Sequence, residues 1–241
     1  MEANDRLILA LDVDTMEEAE RLVAATKDYV GVYKVGMQLY NSVGPAVIHR
    51  LKQLGHKVFA DLKFHDIPNT VKQAGEVMTG HGVYMFNVHC AGGREMMRQT
   101  TEGAKAAAAR TGEAAPLLLG VTILTSLDQA AVNEEVGLAG AVADQVVRYA
   151  RLAQESGLDG VVASPKEIGA LRQACGEDFA LVIPGIRPAW AAANDQKRIM
   201  TPGEAIAAGA TYIVVGRPIT AAADPREAAA KVVAEIVAAM Q

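Results

Sequence analysis

The segment KVFADLKFHDIPNT, residues 57–70, contains a short apolar run, a charged stretch and a helix start, in that order. The opening residues are typical of a buried strand, and Pro68 suits the first turn of a helix. Asp61, Lys63 and Asp66 place three formal charges between the two elements. Because an unpaired buried charge is costly, this strand end predicts charged groups that serve as partners for one another.

The same alternation of strand and helix recurs along the whole chain. Strand-like runs lie at residues 6–12, 32–36, 57–61, 85–89, 117–124, 159–164, 181–185 and 212–216. Helical periodicity follows the runs, with Thr15 as an N-cap before one helix and another helix near residues 42–54. Eight units of roughly 30 residues match the βαβ repeat.

The strand-like runs are continuously apolar, as expected where both faces of a parallel sheet are covered. The pattern predicts the α/β class, with a (β/α)8 TIM barrel that forms a single domain over residues 1–241. A doubly wound open sheet is the alternative. It would not need eight regular units, and the first strand lacks the G-x-G-x-x-G turn of a dinucleotide site.

Composition limits the partners. The chain has 23 basic and 28 acidic residues, a formal net charge of -5, and no basic run, which argues against nucleic acid as a partner.

Cys90 and Cys175 lie far apart, without metal-ligand or secreted-scaffold spacing, and are expected to be buried free thiols. No apolar stretch approaches the roughly 20 residues that span a bilayer, and the N-terminus does not resemble a signal peptide. The expected location is cytoplasmic, without membrane association.

In a parallel barrel the active site lies at the C-terminal ends of the strands. Asp12 ends the first predicted strand, Lys34 the second, and Asp61 with Lys63 the third. The expected arrangement alternates Asp, Lys, Asp and Lys, so that each charge has an opposite neighbour and Lys63 stays an ammonium ion. The alternative is that these side chains cap helices or face solvent.

The ends of the last two strands suggest a phosphate site. The segments PGIRP (184–188) and VGRPIT (215–220) follow strands seven and eight, where barrels frequently bind phosphate. For Gly-Arg-Pro (216–218) alone, the alternative is a plain strand-to-helix turn with a solvated arginine, whereas the pairing with Arg187 on the neighbouring loop favours phosphate. The long segment 187–203 has little helical pattern and is expected to form a lid, with Gln196 near its tip.

Several motifs together resemble the orotidine 5′-phosphate decarboxylase family. They are ALDVD, KVGMQLY, FADLKFHDIPNT, GVTILTS, PGIRP with a downstream DQKR, and IVVGRPIT, which occur in this order over nearly the whole chain. The resemblance implies a (β/α)8 barrel that decarboxylates orotidine 5′-monophosphate to uridine 5′-monophosphate in de novo pyrimidine biosynthesis. It also implies a homodimer with active sites at the interface, and no metal or organic cofactor.

The same resemblance assigns roles to residues. Lys63 is implied to protonate pyrimidine C6, with Asp61 and Lys34 as charged neighbours and with Lys34 and Asp12 at the ribose. Asp66 is implied to complete the site of the partner subunit. The other substrate-binding residues implied are Thr70, also from the partner, Thr125 and Ser126 at the ring, Arg187, Gln196, Gly216 and Arg217 at the phosphate, and Pro184.

Two other functions fit parts of the pattern. A Mg²⁺-dependent sugar-phosphate decarboxylase or aldolase of the same barrel superfamily shares D-x-K-x-x-D but needs an acidic residue on the second strand, where this chain has Lys34. A non-catalytic nucleotide-binding barrel would not need five juxtaposed charges.

Overall fold

The computed structural model describes residues 1–191 and 200–241. The strands are β1 (Leu7–Ala10), β2 (Val32–Gly36), β3 (Lys57–Phe64), β4 (Met85–His89), β5 (Leu117–Val121), β6 (Gly160–Val162), β7 (Ala180–Ile183) and β8 (Tyr212–Val215). The helices are α1 (Met16–Thr26), α2 (Met37–Val43), α3 (Ala46–Gln53), α4 (Pro68–Gly80), α5 (Gly93–Thr111), α6 (Val142–Glu155), α7 (Ile168–Cys175), α8 (Pro202–Ala207), α9 (Arg217–Thr220) and α10 (Pro225–Ala239).

The strands are hydrogen-bonded in their sequence order, β1 to β8, and the order closes into a barrel. This confirms the predicted (β/α)8 class. The chain forms two compact units, one of Met1–Leu62 with Gly185–Gln241 and one of Lys63–Pro184. The single domain stays a prediction.

The first unit contains β8, β1, β2 and most of β3. Strand β1 pairs in parallel with both β8 and β2, and β2 pairs with β3 in a register that places Gly36 opposite Asp61. All residues of β1, β2 and β8 are buried. Continuous burial explains the unbroken apolar runs, and it makes Lys34 on β2 an exception that requires a partner.

The second unit contains β4 to β7, paired in parallel in sequence order. Helices α4 and α5 pack against each other beside these strands. In strand β4, Met85, Phe86, Asn87 and Val88 are all buried. One amide therefore lies within an otherwise apolar stretch.

Two local features differ from the sequence prediction. The helix predicted near residues 42–54 is two helices, α2 and α3, because the chain turns at Gly44, where φ is 74°, and Pro45 follows. Proline cannot continue a preceding helix without losing a hydrogen bond. Strand β3 continues to Phe64, three residues beyond its predicted end, and therefore includes Lys63.

Other predictions are confirmed. The Thr15 side chain accepts a hydrogen bond from the Glu18 N–H, as an N-cap does. Cys90 and Cys175 are buried free thiols, and burial raises the pKa of Cys90 to about 12. Within the described ranges, no helix is both long and apolar enough to cross a membrane.

Candidate active site

Lys34 bridges two carboxylates. Its Nζ lies 3.2 Å from Oδ1 of Asp12 and 3.3 Å from Oδ2 of Asp61. Lys34 is only 9% exposed, and the Asp61 side chain is 13% exposed against 57% for Asp12. The N–H of Leu11 donates to the Lys34 carbonyl O at 3.0 Å, which extends the β1–β2 pairing to the residue before Asp12. The predicted contacts among these three charges are therefore present in the first unit.

Gly36 leaves the space that the ion pairs occupy. A Cβ atom at this position would lie 3.0 Å from Lys34 Nζ and 3.3 Å from Asp12 Oδ1. Gly36 is also the residue paired with Asp61 across β2 and β3. A side chain here would push the ammonium away from one or both carboxylates. The glycine in KVGMQLY therefore allows Lys34 to form its ion pairs.

Lys63 has a left-handed backbone. Its φ is 53°, and in the described parts of the chain it is the only residue other than glycine with a positive φ. This conformation costs an L-residue roughly 1–2 kcal/mol. In a regular strand Lys63 and Asp61 would project on the same face, whereas the positive φ redirects the Cα–Cβ bond of Lys63. Strained backbone of this kind is concentrated at functional sites.

The end of β3 and the next residue contact β4 at three points. The N–H of Lys63 donates to Oδ1 of Asn87 at 2.8 Å. The other two contacts are between rings, Phe64 with Phe86 at 6.1 Å and His65 with His89 at 5.3 Å between centroids. Within the second unit, the three successive residues that begin at Lys63 are therefore all held by β4.

Asp66 and Thr70 are exposed. Asp66 Oδ1 accepts a hydrogen bond from the N–H of Ile67 at 2.6 Å, directly before α4 begins. An open depression of about 570 Å³ lies here, lined by His65, Asp66, Ile67, Pro68, Ala91 and Gly92. Both predicted residues are thus accessible to another molecule.

Thr125 and Ser126 lie in an exposed turn after β5, closed by a 3.0 Å hydrogen bond from the N–H of Leu127 to the carbonyl O of Leu124. They are four and five residues beyond the last residue of β5, Val121. Pro184 follows β7 directly and is half-buried.

The predicted phosphate residues include two arginines of the first unit. Arg187 is half-buried, and its N–H donates to the Met200 carbonyl O at 3.2 Å. Gly216 precedes α9, and Arg217, the first residue of that helix, is exposed. The carbonyl O of Gly216 accepts the N–H groups of Ile219 and Thr220 at 2.9 and 3.0 Å. Gln196 lies outside the described residues.

Comparison with known proteins decides the family. The model of the "Orotidine 5'-phosphate decarboxylase / HUMPS family" matches residues 5–232. This chain belongs to that family. The resemblance read from the motifs is thereby confirmed.

Relatives that carry the name orotidine 5′-phosphate decarboxylase align with this chain over nearly its full length. Orotidine 5′-phosphate decarboxylase of Heliobacterium modesticaldum is 56% identical over 98% of this chain and 97% of its own. The enzyme of the same name from Syntrophomonas wolfei is 55% identical over 98% and 99%. The crystal structure of orotidine 5′-phosphate decarboxylase from Lactobacillus acidophilus is 38% identical, with a TM-score of 0.85, over 95% of this chain and 98% of that chain. The predicted enzyme class, a carboxy-lyase, is confirmed.

One buried polar residue of this decarboxylase family member was not among the sequence candidates. Asn87 is 0% exposed, and its side chain contacts the backbone of Lys63. The sequence contained a signal, because Asn87 interrupts the apolar run MFNV of β4. Buried amides need hydrogen-bond partners, and a search for polar residues inside predicted strands would have found it.

Among residues 1–191 and 200–241, no group of three or more His, Cys, Asp or Glu side chains is arranged to hold a metal ion. In the first unit, at the C-terminal end of β2, the Lys34 ammonium contacts the carboxylates of Asp12 and Asp61. At this end of β2 the group that neutralises the two carboxylates is an ammonium.

Proposed function

We propose that this chain decarboxylates orotidine 5′-monophosphate to uridine 5′-monophosphate, a step of de novo pyrimidine biosynthesis, without a metal or an organic cofactor. The observation that carries the proposal is the buried Lys34 ammonium between Asp12 and Asp61. Lys63 follows Asp61 by two residues in β3. Relatives with at least 55% identity and this name support the choice of substrate. A cytoplasmic location remains a prediction.

The chemistry accounts for the charges. Cleavage of the C6–carboxyl bond releases carbon dioxide and leaves the electron pair on C6, in the plane of the ring, where the π system cannot delocalise it. In our proposal Lys63 stabilises this carbanion as an ammonium and then donates a proton from Nζ to C6. Lys34 and Asp61 serve as charged neighbours, and Lys34 with Asp12 contacts the ribose.

One residue cannot supply all of the transition-state stabilisation that the reaction needs. If the acceleration lies near the upper end for enzymes, about 20 kcal/mol of transition-state stabilisation is needed, whereas one preorganised donor supplies about 3–4 kcal/mol. Binding energy from the remote phosphate must contribute. We assign the phosphate to Arg187, Gln196, Gly216 and Arg217, with segment 187–203 as a lid, and the ring to Thr125 and Ser126, with Pro184 as a further substrate contact.

Arg217→Ala tests the phosphate contact. An exposed arginine at the start of α9 is expected to act only on a substrate that carries the phosphate. We expect kcat/KM for orotidine 5′-monophosphate to fall on the order of 10²-fold, the loss of a charge-assisted contact, and turnover of orotidine to change less than about threefold. Arg226→Ala is the matched control, because Arg226 pairs with Asp28 at the surface at 3.0 Å. Equal losses on both substrates would contradict the assignment.

We also propose a homodimer in which Asp66 and Thr70 complete the site of the partner subunit. Both residues are exposed in the single chain, and the adjacent Ile67 is an apolar residue with 67% exposure. Burial of Ile67 in an interface would recover hydrophobic free energy that solvent exposure forfeits. A molar mass equal to one chain, measured by light scattering at assay concentrations, would contradict this proposal.

An ultraviolet absorbance assay with orotidine 5′-monophosphate separates the three candidate functions. We expect decarboxylation that persists in excess EDTA. Activity abolished by EDTA and restored by Mg²⁺ would favour a sugar-phosphate decarboxylase or aldolase, although the Lys34 ammonium would repel a cation at this end of β2. Nucleotide binding without turnover would favour a non-catalytic barrel.

A further inference from the structure

Asn87 and Lys63 form an unusual pair. Asn87 is fully buried in β4 and its Oδ1 accepts a 2.8 Å hydrogen bond from the N–H of Lys63. Lys63 has a φ of 53°, a backbone conformation that glycine adopts readily and that is unfavourable for a lysine. The hydrogen bond therefore ends on the backbone at the point where the backbone is strained.

Local contacts support this conformation on its C-terminal side as well. Phe64 packs edge to face with Phe86, at an interplanar angle of 71°, and Phe86 is fully buried. Strained backbone persists only where the surroundings overdetermine it. With the N–H of Lys63 fixed by Asn87 and the next side chain fixed by Phe86, a rotation of Lys63 to an ordinary φ would break one contact or both.

We infer that Asn87 is a positioning residue, which holds the left-handed backbone of Lys63 and thereby aims its ammonium group. The inference rests on the proposed role of Lys63 as proton donor. An asparagine suits this task because its amide oxygen accepts a hydrogen bond without adding a charge. A purely structural role, in which the hydrogen bond only compensates burial of the amide, would affect stability but not the reaction.

The test compares two variants of similar size. Asn87→Leu removes the acceptor, and we expect kcat for orotidine 5′-monophosphate to fall about 10- to 100-fold, since a misplacement of 1 Å costs this much. KM and the affinity for uridine 5′-monophosphate should stay within about threefold, because the binding residues are untouched. Asn87→Asp keeps an oxygen acceptor and should recover part of kcat. Val88→Ala, a buried neighbour on β4, controls for general loosening and should leave kcat unchanged.

A double-mutant cycle separates positioning from other effects. In a Lys63→Ala background, Asn87→Leu should change the residual rate less than about twofold, because no amine remains to be aimed. A full loss in that background would overturn the inference. Normal turnover by Lys63→Ala alone would instead refute the proton-donor role. An inactive Lys63→Ala together with a normal kcat for Asn87→Leu would refute only the positioning by Asn87.

Hydrogen exchange on the unmodified protein provides a measurement that needs no variant. The Lys63 amide proton should exchange at least about 100-fold more slowly than in an unstructured peptide, because its hydrogen bond goes to a fully buried oxygen. Exchange at the unprotected rate would overturn the inference even if Asn87→Leu failed to fold.

Discussion

Lys63→Ala is expected to lower kcat for orotidine 5′-monophosphate on the order of 10⁴-fold or more. The substitution removes the proposed proton donor and the cation that stabilises the carbanion, and these two effects are worth about 10²- to 10⁴-fold and 10²- to 10³-fold. Alanine, like lysine, has a Cβ atom, so the substitution does not change the cost of the left-handed conformation at this position. The fold should therefore survive, with uridine 5′-monophosphate bound within about tenfold of the original affinity.

Lys57→Ala is the matched control for this experiment. Lys57 lies at the other end of β3, where its Nζ is 3.5 Å from Asp5 and the side chain is about half exposed. Removal of this lysine takes the same charge from the same strand, and kcat should not change. Decarboxylation by Lys63→Ala within tenfold of the unmodified enzyme would show that another group delivers the proton.

The sequence predicted the strands well where burial is continuous. Strands β2 and β4 have the same bounds in the structure as in the prediction, because a strand covered on both faces is mostly apolar and a single polar residue, Lys34 or Asn87, does not hide the run. The helix near residues 42–54 was predicted less well, since periodicity continues across Gly44 and Pro45 although the backbone does not. Short turns inside an amphipathic stretch leave little trace in the spacing of apolar residues.

The charges were predictable from their positions, whereas their geometry was not. Asp12, Lys34 and Asp61 could be placed at strand ends, and the contacts of 3.2 and 3.3 Å confirm that they meet. The left-handed φ of Lys63 has no sequence signal, because left-handed residues are usually glycine or asparagine. Asn87, which accepts the hydrogen bond from the N–H of Lys63, does have a sequence signal, because it is an amide inside an apolar strand.

Lys34→Met is expected to lower both activity and stability. Methionine fills a similar volume without charge, so Asp61 loses its 3.3 Å contact with Nζ while its side chain remains 13% exposed. Breaking such a pair from one side costs about 3 kcal/mol, which should lower Tm by roughly 6–12 °C for a chain of this size. We also expect kcat/KM to fall on the order of 10²- to 10³-fold. Arg50→Met removes an exposed pair with Glu20 and should change neither quantity appreciably.

The double variant Lys34→Met/Asp61→Asn distinguishes electrostatics from packing. If the stability loss arises from a carboxylate deprived of its ammonium, then neutralisation of Asp61 should restore part of the Tm, so the double variant should be more stable than the sum of the single effects predicts. Activity should not return, because the reaction needs the charges themselves. Strictly additive changes in Tm would mean that Lys34 contributes through its hydrocarbon stem, and the ion cluster would then have no special part in holding β2 and β3 together.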